Sequence, residues 1–149
     1  MNMQEFYMKY ALAEAQKAWD EDEVPVGAVI VYNGEVIAKA HNQIKTLKDP
    51  TAHAEMIAIT QAASHLKNER LNGCELYVTI EPCSMCVGAM VLARIDKLYY
   101  GANDPKTGAA GSKINLTRAG LFNHNIEVIS GIMETECREI IQSFFLNKR

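Results

Sequence analysis

Apolar residues recur at helical spacing near both ends of the chain. Between residues 3 and 19 they lie three or four positions apart, a periodicity that predicts an amphipathic helix. Residues 133–146 also carry apolar side chains suited to one helix face, including the pair Phe144-Phe145. Both helices are expected to turn their apolar sides toward a common core and their polar sides toward water.

Two short segments with a strand-like composition follow the first helix. Residues 28–32 read Ala-Val-Ile-Val-Tyr, and β-branched residues of this kind favour strands. Asn33-Gly34 comes next, and both positions of this pair tolerate the positive φ that a tight hairpin turn requires. Residues 36–40 are suited to the returning strand. The pattern therefore predicts a β-hairpin.

Helices and strands alternate through the rest of the chain. The predicted helices cover 52–66 and 83–93, and the predicted strands cover 75–80, 97–100 and 127–129. Polar residues 41–51 predict a loop. Glycine-rich residues 101–112 predict another, long enough to suggest a function. This alternation predicts an α/β layered domain with right-handed crossovers between its parallel strands.

Composition narrows the class of protein. The chain has 149 residues, of which 48% are hydrophobic and 22% charged, as in ordinary globular proteins. With no linker or repeat in view, residues 1–149 are expected to form a single domain. No apolar run approaches the roughly 20 residues of a membrane helix. The N-terminus also lacks the pattern of a signal peptide, so we expect a cytoplasmic protein without membrane contact.

Charge is distributed unevenly. The formal net charge of −3 argues mildly against a general nucleic-acid binder, for which a basic surface is expected. Five basic and two acidic residues, however, lie between Arg94 and Arg118. A local basic surface is therefore compatible with the acidic total. Solvated faces on ordinary elements would explain the same charges.

Cysteine spacing indicates metal or redox chemistry. The four cysteines are Cys74, Cys83, Cys86 and Cys137. Disulfides are rare in chains without a secretion signal. The Cys83-x-x-Cys86 spacing instead favours a metal site or a redox pair. Cys74 and Cys137 are expected to be small buried residues of the core.

Two short motifs supply ligands of the kind that zinc prefers. His53-Ala54-Glu55 and the segment 82–86, Pro-Cys-Ser-Met-Cys, are each expected to open a helix. Cysteines three residues apart on a helix share one face, so both thiolates can reach one ion. Three protein ligands, His53, Cys83 and Cys86, leave a fourth position for water, as in catalytic zinc sites. Glu55 is placed to face that position as a proton carrier.

This pair of motifs matches the H-x-E and P-C-x-x-C signature of the zinc nucleobase deaminases. Further stretches extend the resemblance to bacterial tRNA-specific adenosine deaminases over nearly the whole chain. They are 23–27 (EVPVG), 49–55 (DPTAHAE), 76–86 (LYVTIEPCSMC), 101–112 (GANDPKTGAAGS) and Ser143-Phe144-Phe145. The resemblance implies a three-layer α/β/α fold of the cytidine-deaminase type, with a central mixed sheet of about five strands.

The resemblance also implies an activity and a set of roles. The activity is hydrolytic deamination of the wobble adenosine in a tRNA anticodon loop to inosine, by zinc-activated hydroxide at C6. Glu55 is the implied catalytic proton shuttle, and one zinc ion per subunit of a homodimer is the implied cofactor. The implied substrate-binding residues are Val26, Asn42, Ala54, Asp104, Lys106, Asn123, Phe145 and Arg149.

Other functions use parts of the same pattern. A free nucleobase deaminase acting on guanine or cytosine would share the zinc site and differ in the surface around it. A thioredoxin-like redox pair would use Cys83 and Cys86 but leave His53 and Glu55 without a role. A structural zinc in a binding module would need a fourth ligand. Cys74, Cys137 or one of the remaining histidines would have to supply it, although none has close spacing to the motifs.

Overall fold

A computed structural model describes residues 2–147 and contains five helices and five strands. The helices are α1 (Met3–Asp20), α2 (Ile44–Leu47), α3 (Ala54–Leu66), α4 (Ser84–Ala93) and α5 (Glu134–Asn147). The strands are β1 (Gly27–Tyr32), β2 (Glu35–His41), β3 (Cys74–Ile80), β4 (Lys97–Ala102) and β5 (Glu127–Ile129). Within residues 2–147, none of the helices has the length and apolar character needed to cross a membrane.

The strands form one mixed sheet in the order β2-β1-β3-β4-β5. β1 is antiparallel to both β2 and β3, whereas β3, β4 and β5 run parallel. Asn33 and Gly34 close the β1–β2 hairpin with φ values of 51° and 79°, as their sequence predicts. The expectation of a mixed sheet of about five strands is confirmed.

Helices cover both faces of the sheet, which gives the three predicted layers. α3 and α4 pack on one face, where alternate strand residues such as Ile30, Leu76 and Leu98 are fully buried. α1 and α5 pack on the other face, against the intervening residues. There Tyr77 and Tyr99 stack with ring centroids 4.3 Å apart. Both faces of the inner strands are therefore apolar, as a doubly covered sheet requires.

The polar segment 41–51 contains a short helix that its composition did not predict. The carboxylate of Glu23, which is 2% exposed, accepts hydrogen bonds from the backbone N–H groups of Lys45 and Thr46 and from the Thr46 hydroxyl. Burial alone would raise the pKa of Glu23, but these hydrogen bonds hold it below its ordinary value. Hydrogen bonds from a residue distant in sequence thus stabilise α2, which lies shortly before His53 in the chain.

α1 lies unusually close to β1, because Gly27 has no side chain. A Cβ at position 27 would overlap the carbonyl oxygen of Ala11 and lie 2.5 Å from the backbone nitrogen of Ala15. Neither atom can move without shifting the helix. We expect Gly27→Ala to lower the free energy of unfolding by about 3 kcal/mol, the size of a severe overpacking effect. Urea denaturation followed by circular dichroism measures this change.

Gly88 provides the matched control for this substitution. It lies within α4, where a Cβ would meet nothing within 4 Å. Gly88→Ala should leave stability unchanged or raise it by up to about 1 kcal/mol, because alanine favours a helix. Equal denaturation midpoints for the two variants would contradict the close approach of α1 to Gly27.

Candidate functional site

The two motifs meet where α3 and α4 begin. His53 is the N-cap residue of α3 and Cys83 is the N-cap residue of α4, yet neither side chain caps its own helix. They turn toward each other instead. The Nδ1 atom of His53 lies 3.7 Å from the Sγ atom of Cys83 and 3.6 Å from that of Cys86. The two predicted helix starts therefore converge on one point.

The geometry of this group fits a tetrahedral zinc ion. Zinc–sulfur and zinc–nitrogen bonds of about 2.3 and 2.0 Å at a tetrahedral angle place nitrogen and sulfur about 3.5 Å apart, close to the observed distances. The three ligand atoms lie within 4.8 Å of one another. Among residues 2–147 no fourth histidine, cysteine or carboxylate joins them. The donor set has three members and one open side, as catalytic zinc sites do.

The three side chains differ in how readily they lose the proton that a metal would replace. Hydrogen bonds from Cys86 and then from His53 lower the pKa of the Cys83 thiol to about 4. The reciprocal hydrogen bond with Cys83, together with burial, raises the pKa of Cys86. The contact with Cys83 raises the pKa of His53, and so does a hydrogen bond to the backbone of Pro50, which has only a carbonyl to offer. Cys83 thus offers a thiolate ligand near neutral pH, whereas a metal has to displace protons against the raised pKa values of Cys86 and His53.

Glu55 lies in the first turn of α3, beside this group. The residue is 3% exposed, and its Oε1 atom has no hydrogen-bond partner among the described residues. Burial raises the pKa of Glu55 to about 7. A carboxyl group with this pKa can take up and release a proton near neutral pH.

A cavity of about 530 Å³ opens above the group. His53, Glu55 and Cys83 form part of its floor. The remaining lining residues are Val24, Val26, Asn42, Ile80, Glu81, Ala102, Asn103, Asp104, Pro105, Lys106, Thr107, Arg138, Ile141, Gln142 and Phe145. Its volume is in the range of small-molecule sites, and its lining combines apolar walls with a few polar groups.

Val26 and Asn42 lie on one side of the cavity, whereas the predicted Ala54 is not among its lining residues. The side chains of Val26 and Asn42 line it. Ala54 is fully buried and takes part through its backbone N–H, which donates to Oδ1 of Asn42 at 2.8 Å. This bond fixes the orientation of the Asn42 amide and leaves its NH₂ group available to a ligand.

The opposite wall comes from the loop after β4 and from α5. The loop contributes the predicted residues Asp104 and Lys106, and α5 contributes the predicted Phe145, which is 53% exposed. α5 also contributes Arg138, Ile141 and Gln142, which were not predicted. Together with Phe145 they have the spacing i, i+3, i+4 and i+7, which places all four on one face of the helix. This periodicity could have identified them from the sequence.

One predicted binding residue of the described part of the chain, Asn123, lies away from the cavity. Asn123 accepts a hydrogen bond from Nη1 of Arg94 at 3.3 Å, next to the C-terminal end of α4. Because α4 has 10 residues, Asn123 lies about 15 Å along the helix from the Cys83 end. Arg149 lies outside the described residues.

The other cysteines and histidines lie outside the metal-binding group and contact residues with no part in it. Cys74 and Cys137 are fully buried, and burial raises the pKa of their thiols to about 11 and about 12. His41 lies between Glu14 and Glu21, with nitrogen–oxygen distances of 3.3 and 3.1 Å. His124 contacts the carbonyl oxygen of Ile95 at 2.7 Å. Neither these four residues nor His65 joins the ligand group formed by described residues.

Comparison with known proteins gives a consistent family. Residues 1–149 match the model of the MafB19-like deaminase family. A tRNA-specific adenosine deaminase from Bacillus subtilis is 50% identical, and the match covers 100% of this chain and 92% of that protein. A tRNA-specific adenosine deaminase from Aquifex aeolicus is 48% identical, with 97% and 95% covered.

Solved structures agree with this similarity. One, from a study of A-to-I editing by tRNA:A34 deaminases at the wobble position, superposes with a TM-score of 0.88 and is 48% identical. The match covers 91% of this chain and 98% of that one. A guanine deaminase from Bacillus subtilis has a TM-score of 0.65 and 41% identity, over 69% of this chain and 66% of its own.

Proposed function

This chain belongs to the MafB19-like deaminase family, and from that premise we propose that it converts the wobble adenosine of a tRNA anticodon to inosine. Relatives of 48–50% identity that bear the name tRNA-specific adenosine deaminase support this substrate. The observation that carries the proposal is the grouping of His53, Cys83 and Cys86 beside the buried Glu55 carboxyl group, at the floor of a nucleoside-sized cavity.

In this proposal, His53, Cys83 and Cys86 hold one zinc ion per chain. When bound, zinc supplies a Lewis acid that lowers the pKa of water toward neutrality. The chain prepares the site in two ways. The low pKa of the Cys83 thiol provides a thiolate ligand, and the N-termini of α3 and α4 favour negative charge at the point where they meet.

Glu55 moves the protons of the reaction. Deamination adds one water molecule at C6 of adenine and releases ammonia, so a proton must leave the water and reach the departing nitrogen. The Glu55 carboxylate takes this proton and then donates it. Its partner-free Oε1 atom and its pKa of about 7 suit both steps.

The cavity receives the adenine after it has left the base stack of the anticodon loop. Asn42 offers its NH₂ group to an acceptor on the purine edge, because its carbonyl oxygen is already used by the Ala54 N–H. Val26 contacts the base from the same side. Ala54 shapes this wall through its backbone rather than through its methyl group.

The rim of the cavity suits an RNA backbone despite the net charge of −3. Lys106 and Arg138 supply positive charge on the loop and on α5. The carboxylate of Asp104 is already engaged by the backbone N–H groups of Lys106 and Thr107 and by the Thr107 hydroxyl. The exposed ring of Phe145 offers a surface on which an unstacked base can lie.

If Lys106 contacts a phosphate, Lys106→Ala should weaken binding of an anticodon stem-loop about threefold to tenfold at low salt. It should also reduce the slope of log Kd against log salt concentration by about 0.7. Fluorescence anisotropy at four salt concentrations measures both quantities. The Glu55→Gln background prevents turnover during the titration.

Lys113→Ala is the matched control, because Lys113 is exposed in the same segment but does not line the cavity. Its salt slope should equal that of the parent protein. The same loss for both lysines would mean that the segment attracts RNA through general charge and that Lys106 makes no specific contact.

A free-base deaminase is the second candidate, because the 41% identical guanine deaminase covers much of this fold. One assay distinguishes deamination of tRNA from deamination of a free base. An in vitro transcribed tRNA with adenosine at the wobble position is incubated with the protein, in parallel with free guanine, cytosine and adenosine. Nucleoside mass spectrometry should detect inosine from the tRNA and no product with Glu55→Ala. Ammonia from a free base without inosine from the tRNA would favour the second candidate.

The assembly and compartment of the protein are part of the same proposal. The family resemblance suggests a homodimer. Apolar side chains such as Leu92, which is 82% exposed, and Leu47, which is 55% exposed, provide surface that a second copy would cover. Light scattering during size-exclusion chromatography gives the mass, and a monomeric mass would overturn this part. A tRNA substrate would place the enzyme in the cytoplasm.

A further inference from the structure

Glu81 is a buried acidic residue that neither the metal group nor the proton transfer uses. It follows β3 directly and is 2% exposed. Its Oε1 atom accepts hydrogen bonds from the Asp104 N–H at 3.0 Å and from the Ser112 hydroxyl. Its Oε2 atom accepts from the N–H groups of Ala110 and Ser112, both at 3.0 Å. All four donors belong to the loop that follows β4.

These bonds enclose the part of the loop that faces the cavity. Asp104 and Ala110 bound the stretch, and the residues between them include Lys106 and Thr107, which line the cavity. Gly108 lies directly against the carboxyl group, because a Cβ there would overlap the Cδ atom of Glu81. The loop has no helix or strand at 103–108. Hydrogen bonds to Asp104 form a local turn, and Glu81 ties that turn to the end of β3.

We propose that Glu81 is a positioning residue that holds the 104–112 loop as a preformed wall for the RNA substrate. This inference rests on the proposed function, because it assigns the wall to RNA. Glu81 borders the cavity but is not one of the metal-binding residues, and both of its carboxylate oxygens are occupied by donors of the loop. It acts through the loop, and its effect is therefore expected on substrate binding rather than on the chemical step.

The chemistry of the carboxylate explains why an amide would not replace it. An ionised carboxylate only accepts hydrogen bonds, and its two oxygens match two donors each. A glutamine of the same shape has one oxygen, and its NH₂ group would face the N–H donors now bound to the second oxygen. In that orientation the N–H groups of Ala110 and Ser112 lose their acceptor, and in the flipped orientation the Asp104 N–H does. Such donors are costly when water cannot reach them. The loop would have to move to satisfy them.

The test is Glu81→Gln in the full chain loaded with zinc. We expect the KM for an anticodon stem-loop to rise about tenfold while kcat falls less than about threefold. We also expect faster hydrogen exchange, followed by NMR, at the amides of Asp104, Ala110 and Ser112. Exchange at Leu76 and Val78 in β3 should stay unchanged. Loss of overall stability would instead lower the active fraction, and thus kcat, with KM unaltered.

Glu75→Gln is the matched control, because Glu75 lies at the other end of the same strand and is partly exposed. It should leave KM and all of these amides as in the parent protein. If either the KM or the exchange of the three loop amides is unmoved in Glu81→Gln, the proposal is wrong. Wild-type protein that fails to deaminate tRNA would refute the proposed function instead, and the exchange data would still show whether Glu81 orders the loop.

Ser112→Ala keeps the proposal testable if Glu81→Gln does not fold. It removes only the hydroxyl donor, and the Ser112 N–H bond to Glu81 remains. We expect KM to rise about twofold to threefold and exchange at Asp104, which shares the Oε1 acceptor, to increase. A KM equal to that of the parent protein would overturn the proposal.

Discussion

Replacing Glu55 by Gln should lower the rate constant for tRNA deamination by roughly 10³- to 10⁴-fold, the upper part of the range for lost proton transfer. Glutamine has nearly the same shape as glutamate but cannot take a proton from water and return it. Because the ionised carboxylate is buried without a partner for Oε1, its replacement by a neutral amide should leave the fold at least as stable as before.

Single-turnover kinetics with excess enzyme measure the loss without interference from product release. Zinc content and melting temperature should match the wild-type values. Glu69→Gln is the control for removing one acidic charge, because Glu69 is exposed outside the elements that form the cavity. A rate within tenfold of wild type for Glu55→Gln would refute the role of Glu55 as proton carrier.

Removing a zinc ligand should abolish metal binding as well as turnover. In His53→Ala or Cys86→Ser, two protein ligands remain. We expect zinc per chain to fall from about one to below about 0.1 after dialysis against a weak chelator, because tight zinc sites need at least three protein ligands. Inductively coupled plasma mass spectrometry gives the ratio of metal to protein directly.

Cys74→Ala is the matched control for loss of a cysteine. Cys74 is fully buried at the start of β3, at the opposite end of the strand from Cys83, and it belongs to the apolar core. Its variant should keep a full complement of zinc even if its stability falls. Zinc retention by His53→Ala and Cys86→Ser alike would mean that the metal binds elsewhere or that the ligand set is different.

Local sequence signals predicted much of this fold because the relevant interactions are local. Asn33-Gly34 is itself sufficient to form a tight turn, and the observed φ values at both residues agree with it. The grouping of His53 with Cys83 and Cys86 was also foreseeable, since each motif opens a helix and the family signature pairs them.

The features that escaped prediction depend on contacts between distant parts of the chain. α2 forms in a polar segment because Glu23, 22 residues before Lys45, binds its first N–H groups. Glu81 binds donors 23 to 31 residues away, and no spacing rule connects them. The cavity face of α5 was visible as a periodic pattern, but periodicity does not reveal which element covers that face.

The strand directions place the candidate site and the β1–β2 turn at opposite ends of the sheet. β3 leads to Cys83, β4 leads into the loop at 104–112, and β1 starts beside them at Gly27. The Asn33-Gly34 turn lies at the other end of β1, six residues or about 20 Å away. A fluorophore or surface tether attached at that turn would thus stay outside the volume that RNA must occupy. Single-molecule experiments can therefore use this turn as an attachment point distant from the candidate active site.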